Sequence, residues 1–247
     1  MKFLVSIILV LVFFGNVYSQ QADRIIKKPI LKYESSFGIN LNSDGWGINY
    51  KYGKTKTFTN KKTWDIGLLF IRDTKQYRYY NPYDNSAKSF FYGKMIGFYS
   101  LQILRGRQKI ISEKPYWGGV EFRYFYFGGL NVGIGNPVYV YVVDYDNGGI
   151  LKLEKYDPQK HDLDNIWGRG PYVKGFSNLE LHPGLSFKFG LNAEFGTYQE
   201  STKAFEAGVI VDGYAVPVQI MGFNTPKYVM FRLYVAYRFG KRFNSTR

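Results

Sequence analysis

The chain lacks cysteine, which excludes disulfides, thiolate metal sites and a lipid-modified N-terminal cysteine. It has two histidines in 247 residues, and the ligand spacing of a zinc site is missing. No glycine-rich segment has the pattern that cradles a phosphate. We therefore expect no cofactor, no metal and no catalytic residues.

Long apolar runs are also absent after residue 19, and the mean hydropathy is −0.26. That value does not exclude a membrane protein, because only alternate residues of a membrane strand face lipid. Residues 1–19 combine Lys2, an apolar centre at 3–14 and a small Ser19, which predicts a secretory signal peptide. An uncleaved anchor is the alternative, although the apolar run is short for a bilayer. Residues 20–32 would form a periplasmic lead-in.

Aromatic residues are abundant and alternate with polar ones, with 23 tyrosines and 21 phenylalanines in the chain. In residues 227–240 one face of a strand would be apolar, and the other would carry Arg232 and Arg238. Residues 183–196 repeat this pattern with Phe and Leu opposite Lys188 and Glu194. Such strands are typical of a barrel that meets lipid outside and packs polar groups inside.

Eight such segments cover residues 33–240 and leave 241–247 as a polar periplasmic tail. The predicted strands are 33–41, 46–52, 63–73, 90–104, 115–133, 183–196, 205–212 and 227–240, with 138–143 as a candidate extension of the fifth. The outer connections would be 42–45, 74–89, 144–182 and 213–226, and the inner ones 53–62, 105–114 and 197–202. The predicted fold is all-β: an eight-stranded antiparallel transmembrane β-barrel with long extracellular loops and short periplasmic turns.

The interior of an eight-stranded barrel holds only side chains, so inward charges need partners. The alternation points acids and bases inward in equal number. We expect a salt-bridged plug in place of an open pore. The predicted lumen network consists of Glu34, Lys51, Asp65, Arg123, Lys188, Glu194, Glu206, Asp212, Arg232 and Arg238, with Glu121 and Lys94 also pointing inward.

A secreted lipocalin-like barrel, with its apolar face inside, is the soluble alternative. It would place about six Phe or Leu side chains per strand in a lumen of this size and overfill it. The frequent glycine and asparagine on the polar faces also favour the membrane interpretation.

Two groups in the outer connections suggest chemistry. His182, near Ser177 and Ser186, has the residue types of the base and nucleophile in a membrane-embedded acyl hydrolase; the plainer interpretation is an interfacial histidine. A calcium site is the second hypothesis, although the spacing is not a complete calcium loop and a solvated acidic turn is preferred. Its ligands would be Asp157, Asp162 and Asp164.

Aromatic residues in two outer connections are candidates for docking a protein or glycan, against the alternative of an aromatic girdle at the membrane interface. The formal net charge of +14 could indicate binding to nucleic acid or acidic lipid. Because no basic run is long, we interpret it as basic turns and tails, and expect no nucleic-acid partner. The predicted docking residues are Tyr79, Tyr80, Trp167, Arg169 and Tyr172.

The whole mature chain resembles the small outer-membrane β-barrel proteins of Bacteroidota. The segments that carry the resemblance are 45–50, 115–121, 187–196 and 237–243, the last of which looks like the C-terminal aromatic strand that the barrel-assembly machinery recognises. Barrels of this type include partners in outer-membrane protein assembly and in secretion or gliding complexes. The resemblance is specific for architecture, and it transfers no catalytic residues.

The resemblance implies a non-enzymatic outer-membrane component of a Gram-negative bacterium, exported through the Sec pathway. We expect an accessory or scaffold subunit of an assembly or secretion complex, with outer-membrane lipid and envelope proteins as partners. The alternatives are a lipid-modifying hydrolase or acyltransferase using His182, and a small-solute channel.

Overall fold

The computed structural model describes residues 31–244 except positions 58, 83, 85, 114–118, 146–147 and 196–200. The predicted signal peptide, nearly all of the lead-in and the last three residues of the tail lie outside the described residues. So does most of the 115–121 segment on which part of the resemblance rests.

Alternating sequences place most of the described residues in extended strands. The strands, in chain order, are β1 (Tyr33–Asn42), β2 (Gly45–Thr57), β3 (Asn60–Ile71), β4 (Arg78–Tyr79), β5 (Phe90–Phe91), β6 (Ile96–Ser112), β7 (Glu121–Pro137), β8 (Tyr139–Asp144), β9 (Ile150–Lys155), β10 (Ile166–Arg169), β11 (Glu180–Glu194), β12 (Ser201–Val218) and β13 (Lys227–Phe243). A 3₁₀ helix spans Tyr172–Asn178. In the described part of the chain, no helix is long and apolar enough to cross a membrane.

Eight of the strands close into a barrel in the order β1-β13-β12-β11-β7-β6-β3-β2. Every neighbouring pair is antiparallel, and the ring closes where Tyr33 of β1 pairs with Phe243 of β13. The long connections 72–95, 138–179 and 219–226 share one end of the barrel with the Ser43–Asp44 turn. The predicted all-β, eight-stranded antiparallel barrel is confirmed.

Several predicted boundaries are wrong because strands continue beyond the segments predicted from apolar alternation. Most of the predicted connection 53–62 lies in β2 and β3, and β6 runs through the basic segment to Ser112. β11 begins at Glu180, and β13 continues to Phe243, beyond the predicted end of the barrel at 240. In the added parts of β2, β3 and β6 most outward side chains are polar, so hydrophobic periodicity does not mark them. At the start of β11 and the end of β13, the outward Leu181 and Phe243 continue the alternation.

Two predicted segments belong to the loops. Residues 90–91 form β5, which pairs with β4 outside the barrel, and the wall strand begins only at Ile96. Residues 138–143 do not extend the fifth wall strand, which spans Glu121–Pro137. Most of them form β8, which lies between β9 and β10 in a separate three-stranded sheet.

Side-chain exposure decides which face of the wall is inside. Phe231 is 64% exposed, whereas its neighbour Arg232 is 0% exposed. The same contrast holds on β11, where Phe187 is exposed and Lys188 is buried. The apolar rows therefore point out and the charges point in, so the lipocalin-like interpretation is wrong.

Aromatic side chains cluster on the outer wall near both ends. Trp46 stacks on Phe70 with ring centroids 4.3 Å apart, next to the long connections. Tyr33 stacks on Tyr52 and on Phe243, at 6.1 and 5.9 Å, next to the chain termini. These two aromatic levels match the girdles of a membrane barrel, and outward Phe187 and Phe189 lie between the ends of β11.

A pair of glycines on β12 allows a matched test of wall packing. A Cβ at Gly208 would lie 2.2 Å from the Phe189 carbonyl oxygen, whereas a Cβ at Gly213 would meet no heavy atom within 4 Å. We expect Gly208→Ala to separate β12 from β11 and lower the free energy of unfolding by about 1–3 kcal/mol. Gly213→Ala should change it little. Urea unfolding in detergent measures both, and equal effects would contradict the close approach of the two strands at Gly208.

Candidate functional site

The lumen charges form three layers of ion pairs, the first of which lies near the chain termini. Glu34 accepts hydrogen bonds from Lys61 and from Arg242, whose Nε lies 2.8 Å from Glu34 Oε2. Arg242 also pairs with Glu194, and Arg123 Nη2 lies 3.6 Å from Glu194 Oε2. Since Glu34 is on β1 and Arg242 on β13, this layer joins the two strands that close the ring.

The middle layer is centred on Glu206 and Asp65. Lys51 Nζ and Arg238 Nε lie 2.6 and 3.0 Å from Glu206 Oε1. Lys188 Nζ lies 3.0 Å from Asp65 Oδ2, and Lys51 lies 3.8 Å from the same oxygen. Each carboxylate therefore has two cations, as expected where burial makes an unpaired charge costly.

Aromatic rings cover the cations of this layer. Lys51 Nζ lies 4.5 and 4.8 Å from the ring centroids of Phe125 and Phe127, and Lys188 Nζ lies 4.6 Å from that of Tyr234. These contacts are within cation–π range. The rings also fill space between the ion pairs.

The third layer lies near the long connections. Arg232 pairs with Asp212, and its Nε lies 3.0 Å from Asp44 Oδ2 in the β1–β2 turn. Gln102 Nε2 donates to Asp212 at 2.9 Å and to Ser186 Oγ at 3.1 Å. Arg232 therefore connects the lumen to the mouth of the barrel.

The structure brings all ten predicted lumen residues together inside the barrel, and it adds three that the sequence pattern misses. The alternation places Lys61, Asp44 and Arg242 in connections or in the tail. Continuing it past Thr63 and Gly240 would have found Lys61 and Arg242. The prediction that Lys94 points into the lumen from a wall strand is wrong. Lys94 lies in a connection, where its backbone forms an isolated β-bridge with Met221. Among the described residues, the network holds seven acids and seven bases: Glu34, Asp44, Asp65, Glu121, Glu194, Glu206, Asp212, Lys51, Lys61, Arg123, Lys188, Arg232, Arg238 and Arg242.

His182 points into this lumen and not toward lipid. Its side chain is buried, its ring lies 5.7 Å from that of Phe98, and its Nδ1 lies 3.3 Å from the Val216 carbonyl oxygen. In the described residues, no hydrogen bond joins it to Ser177 or Ser186. Ser177 is exposed in the 3₁₀ helix, and Ser186 accepts from Gln102. The arrangement is not that of a nucleophile and its base.

The acidic turn at 157–164 makes internal hydrogen bonds. Asp157 Oδ1 accepts from the Gln159 amide at 3.0 Å, and the Asp157 amide donates to His161 Nδ1 at 3.0 Å. Within the described residues, no group of three or more His, Cys, Asp or Glu side chains could hold a metal ion. Asp162 and Asp164 are exposed in this turn.

The long connections pack into a cap over one mouth of the barrel; we use "cap" for the described residues of 72–95, 138–179 and 219–226. Backbone hydrogen bonds join these connections. The Met95 amide donates to the Ile220 carbonyl oxygen at 2.9 Å, and the Arg169 amide donates to the Lys88 carbonyl oxygen at 3.1 Å. Phe90, Val140, Tyr156 and Ile166 form its buried apolar core. The cap is therefore an ordered structure with its own core.

Burial changes the acidity of two groups in the cap. The pKa of Tyr156 is raised to about 12, chiefly because burial disfavours the phenolate. The pKa of Lys94 is lowered to about 8 by burial first and then by the positive charges of Arg72 and Arg169. The cap therefore favours the neutral form of the Tyr156 hydroxyl. Its oxygen accepts a hydrogen bond of 3.1 Å from the Gly93 amide.

The predicted docking residues all lie in the cap, where they differ in exposure. Tyr80 is 69% exposed, and Tyr79 and Tyr172 are 40% and 45% exposed. Arg169 is also exposed, but Trp167 is half-buried and donates from Nε1 to Asp84 Oδ2 at 3.0 Å. Trp167 thus joins two parts of the cap, and Tyr80 and Arg169 are exposed on its surface. Tyr79 stacks on Phe90, and the Tyr172 hydroxyl hydrogen-bonds to that of Tyr99 on β6.

No family model and no curated protein match this chain. Among solved structures it is similar to Neisserial surface protein A, with 10% identity and a TM-score of 0.41 over 85% of this chain and 96% of that one. It is also similar to Ail, the attachment invasion locus protein of Yersinia pestis, with 10% identity and a TM-score of 0.38 over 87% of this chain and 100% of that one. At such low identity and TM-score, neither likeness indicates what this chain does.

The buried Arg232–Asp212 pair allows a test of the lumen network. Arg232→Met should leave Asp212 unpaired and lower the free energy of unfolding by about 3–5 kcal/mol. Adding Asp212→Leu should recover much of that loss, because the buried carboxylate is then removed as well. Urea unfolding in detergent micelles measures all three proteins.

The control is Lys155→Met, which breaks the solvent-exposed Lys155–Glu180 pair of 2.9 Å in the cap region. We expect a change of about 1 kcal/mol or less. A double variant as unstable as Arg232→Met would contradict the role of charge pairing.

Proposed function

We propose that this protein is an integral barrel of the outer membrane of a Gram-negative bacterium, exported through the Sec pathway. The observation that carries the proposal is the inverted wall, in which apolar side chains are exposed and charges are buried. Outward Leu185, Phe187 and Phe231 are 66%, 51% and 64% exposed, whereas inward Lys188, Glu206 and Arg232 are 2%, 1% and 0% exposed. Exposed apolar rows of this extent would be a liability in water and suit a lipid environment.

Within that membrane, we propose a non-enzymatic accessory or scaffold role, in an assembly or secretion complex, over transport. The lumen is occupied by three layers of ion pairs and by the rings of Phe125 and Phe127. This filling favours a scaffold role over a small-solute channel. His182 faces this packed interior, so a lipid substrate outside the wall would not reach it. Both features weigh against the two alternative functions.

The cap provides the proposed docking surface for envelope proteins. It has a buried core and joined backbones, so its outer residues are held in place before a partner binds. Tyr80 and Tyr172 offer exposed aromatic surface, and Arg169 offers a cation. Tyrosine, tryptophan and arginine are the side chains enriched at protein–protein hot spots.

Membrane insertion can be tested with single-tryptophan variants. Trp46 and Trp64 point outward and are 43% and 45% exposed, whereas Trp167 lies in the cap. In vesicles of brominated lipid, proteins retaining only Trp46 or only Trp64 should be quenched. The protein retaining only Trp167 should not. Equal quenching of all three, or of none, would contradict the proposed placement in lipid.

Partner docking can be tested by photo-crosslinking in cells that express the protein. The photoreactive residue p-benzoylphenylalanine would replace Tyr80 or Tyr172 in the cap, and the lipid-facing Tyr50 as the control. We expect one protein adduct of the same mass from both cap positions and none from Tyr50. An absence of protein adducts at both cap positions would contradict the scaffold role and leave the membrane barrel itself untouched.

A further inference from the structure

One sector of the outer wall is basic and not apolar. We call it the basic patch; it lies on three adjacent strands, toward the end of the barrel where β1 begins and β13 ends, which we call the terminal side. All its side chains are exposed except the half-buried Lys62. The basic patch consists of Lys54 and Lys56 on β2, Lys62 on β3, and Arg105, Arg107 and Lys109 on β6.

The strand register places like charges side by side in this patch. Lys54 pairs with Lys62 across β2 and β3, and Lys62 pairs with Arg107 across β3 and β6. Neighbouring strands are about 4.8 Å apart, and like charges directly opposite each other are destabilising. The row Lys54–Lys62–Arg107 therefore favours binding of an anion.

The protein supplies no anion for the patch in its described part, where no carboxylate lies within 4.0 Å of the six cations. Asp65, the acid of β3, points into the lumen and pairs with Lys188. The inward charges of the lumen thus have partners within the chain, whereas the six outward cations of the basic patch have no carboxylate partner among the described residues.

Aromatic contacts show the level of the patch on the wall. The Arg105 guanidinium carbon lies 5.1 Å from the Trp64 ring centroid, and Lys54 Nζ lies 5.6 Å from that of Tyr33. Rings of this kind mark the boundary between hydrocarbon and headgroups, and basic side chains at that level extend toward the headgroups. The patch therefore lies at headgroup height on the terminal side.

We propose that the basic patch binds the phosphate groups of anionic phospholipids in the leaflet on the terminal side of the barrel. This inference rests on the proposed membrane location. An open patch spread over three strands suits the headgroups of adjoining lipids better than one enclosed anion. Each Lys or Arg near an anionic lipid surface contributes about 1 kcal/mol, or roughly fivefold in affinity.

The test compares two double variants of the full barrel, each lacking two cations. Lys62→Gln/Arg107→Gln removes the centre of the patch. Lys203→Gln/Lys241→Gln removes exposed outward lysines of β12 and β13 at the same end. Native mass spectrometry during titration with phosphatidylglycerol or phosphatidylcholine gives apparent Kd values, and inorganic phosphate serves as the free-anion probe. Because the patch variant removes like-charge contacts, we expect it to fold, and heat-shifted gel mobility checks this.

We expect the wild type to prefer phosphatidylglycerol, and the patch variant to bind it roughly 25-fold more weakly while the control stays near wild type. Equal affinities in patch variant and wild type, or equal losses in patch and control variants, would overturn the inference. Displacement of the lipid by equimolar inorganic phosphate would assign the patch to free anions instead. Insertion into phosphatidylcholine vesicles without any phosphatidylglycerol preference would remove this inference alone, whereas failure to insert would remove the proposed function as well.

Discussion

Pairing of buried charge is the constraint on which this molecule depends. A wall that turns its apolar side chains outward has to place its polar ones inside, where an isolated ion is several kcal/mol unfavourable. The chain meets this requirement with carboxylates that each pair with two cations. Glu206 forms ion pairs with Lys51 and Arg238, and Asp65 forms ion pairs with Lys51 and Lys188. The same ion pairs that join the wall strands also occupy the lumen.

The proposed partners would therefore bind at surfaces that the lumen network does not occupy. The lumen pairs its own charges, and the cap has its own apolar core. Among the described residues, exposed aromatic side chains lie on the cap and six outward cations form the basic patch. These two regions lie toward opposite ends of the barrel and differ in character, one aromatic and one cationic. A protein partner at the first and a lipid partner at the second would leave the interior unchanged.

How far the sequence predicts this structure depends on whether a feature is local. Arg232 lies inward because Phe231 and Leu233 lie outward, and alternation alone finds that. The predicted strands stop short of Lys61 and Arg242, because both neighbours of Lys61 are polar and Phe243 is the one apolar neighbour of Arg242, so the contrast between the two faces is weak there. Residues 139–143 are recognisably β-forming, but propensity does not say which sheet a strand joins. The cap depends on contacts between distant segments, such as Met95 with Ile220, which no local pattern contains.

The pairing of Tyr33 with Phe243 has a consequence for biogenesis. Because the first wall strand hydrogen-bonds to the last, the ring cannot close until the segment that ends at Phe243 is in place. The ion pair between Glu34 and Arg242 joins the same two strands, so the electrostatic layer nearest the termini is also incomplete until that moment. Until that pairing forms, the facing edges of β1 and β13 leave a row of backbone donors and acceptors without strand partners, which is the kind of edge to which another chain can pair.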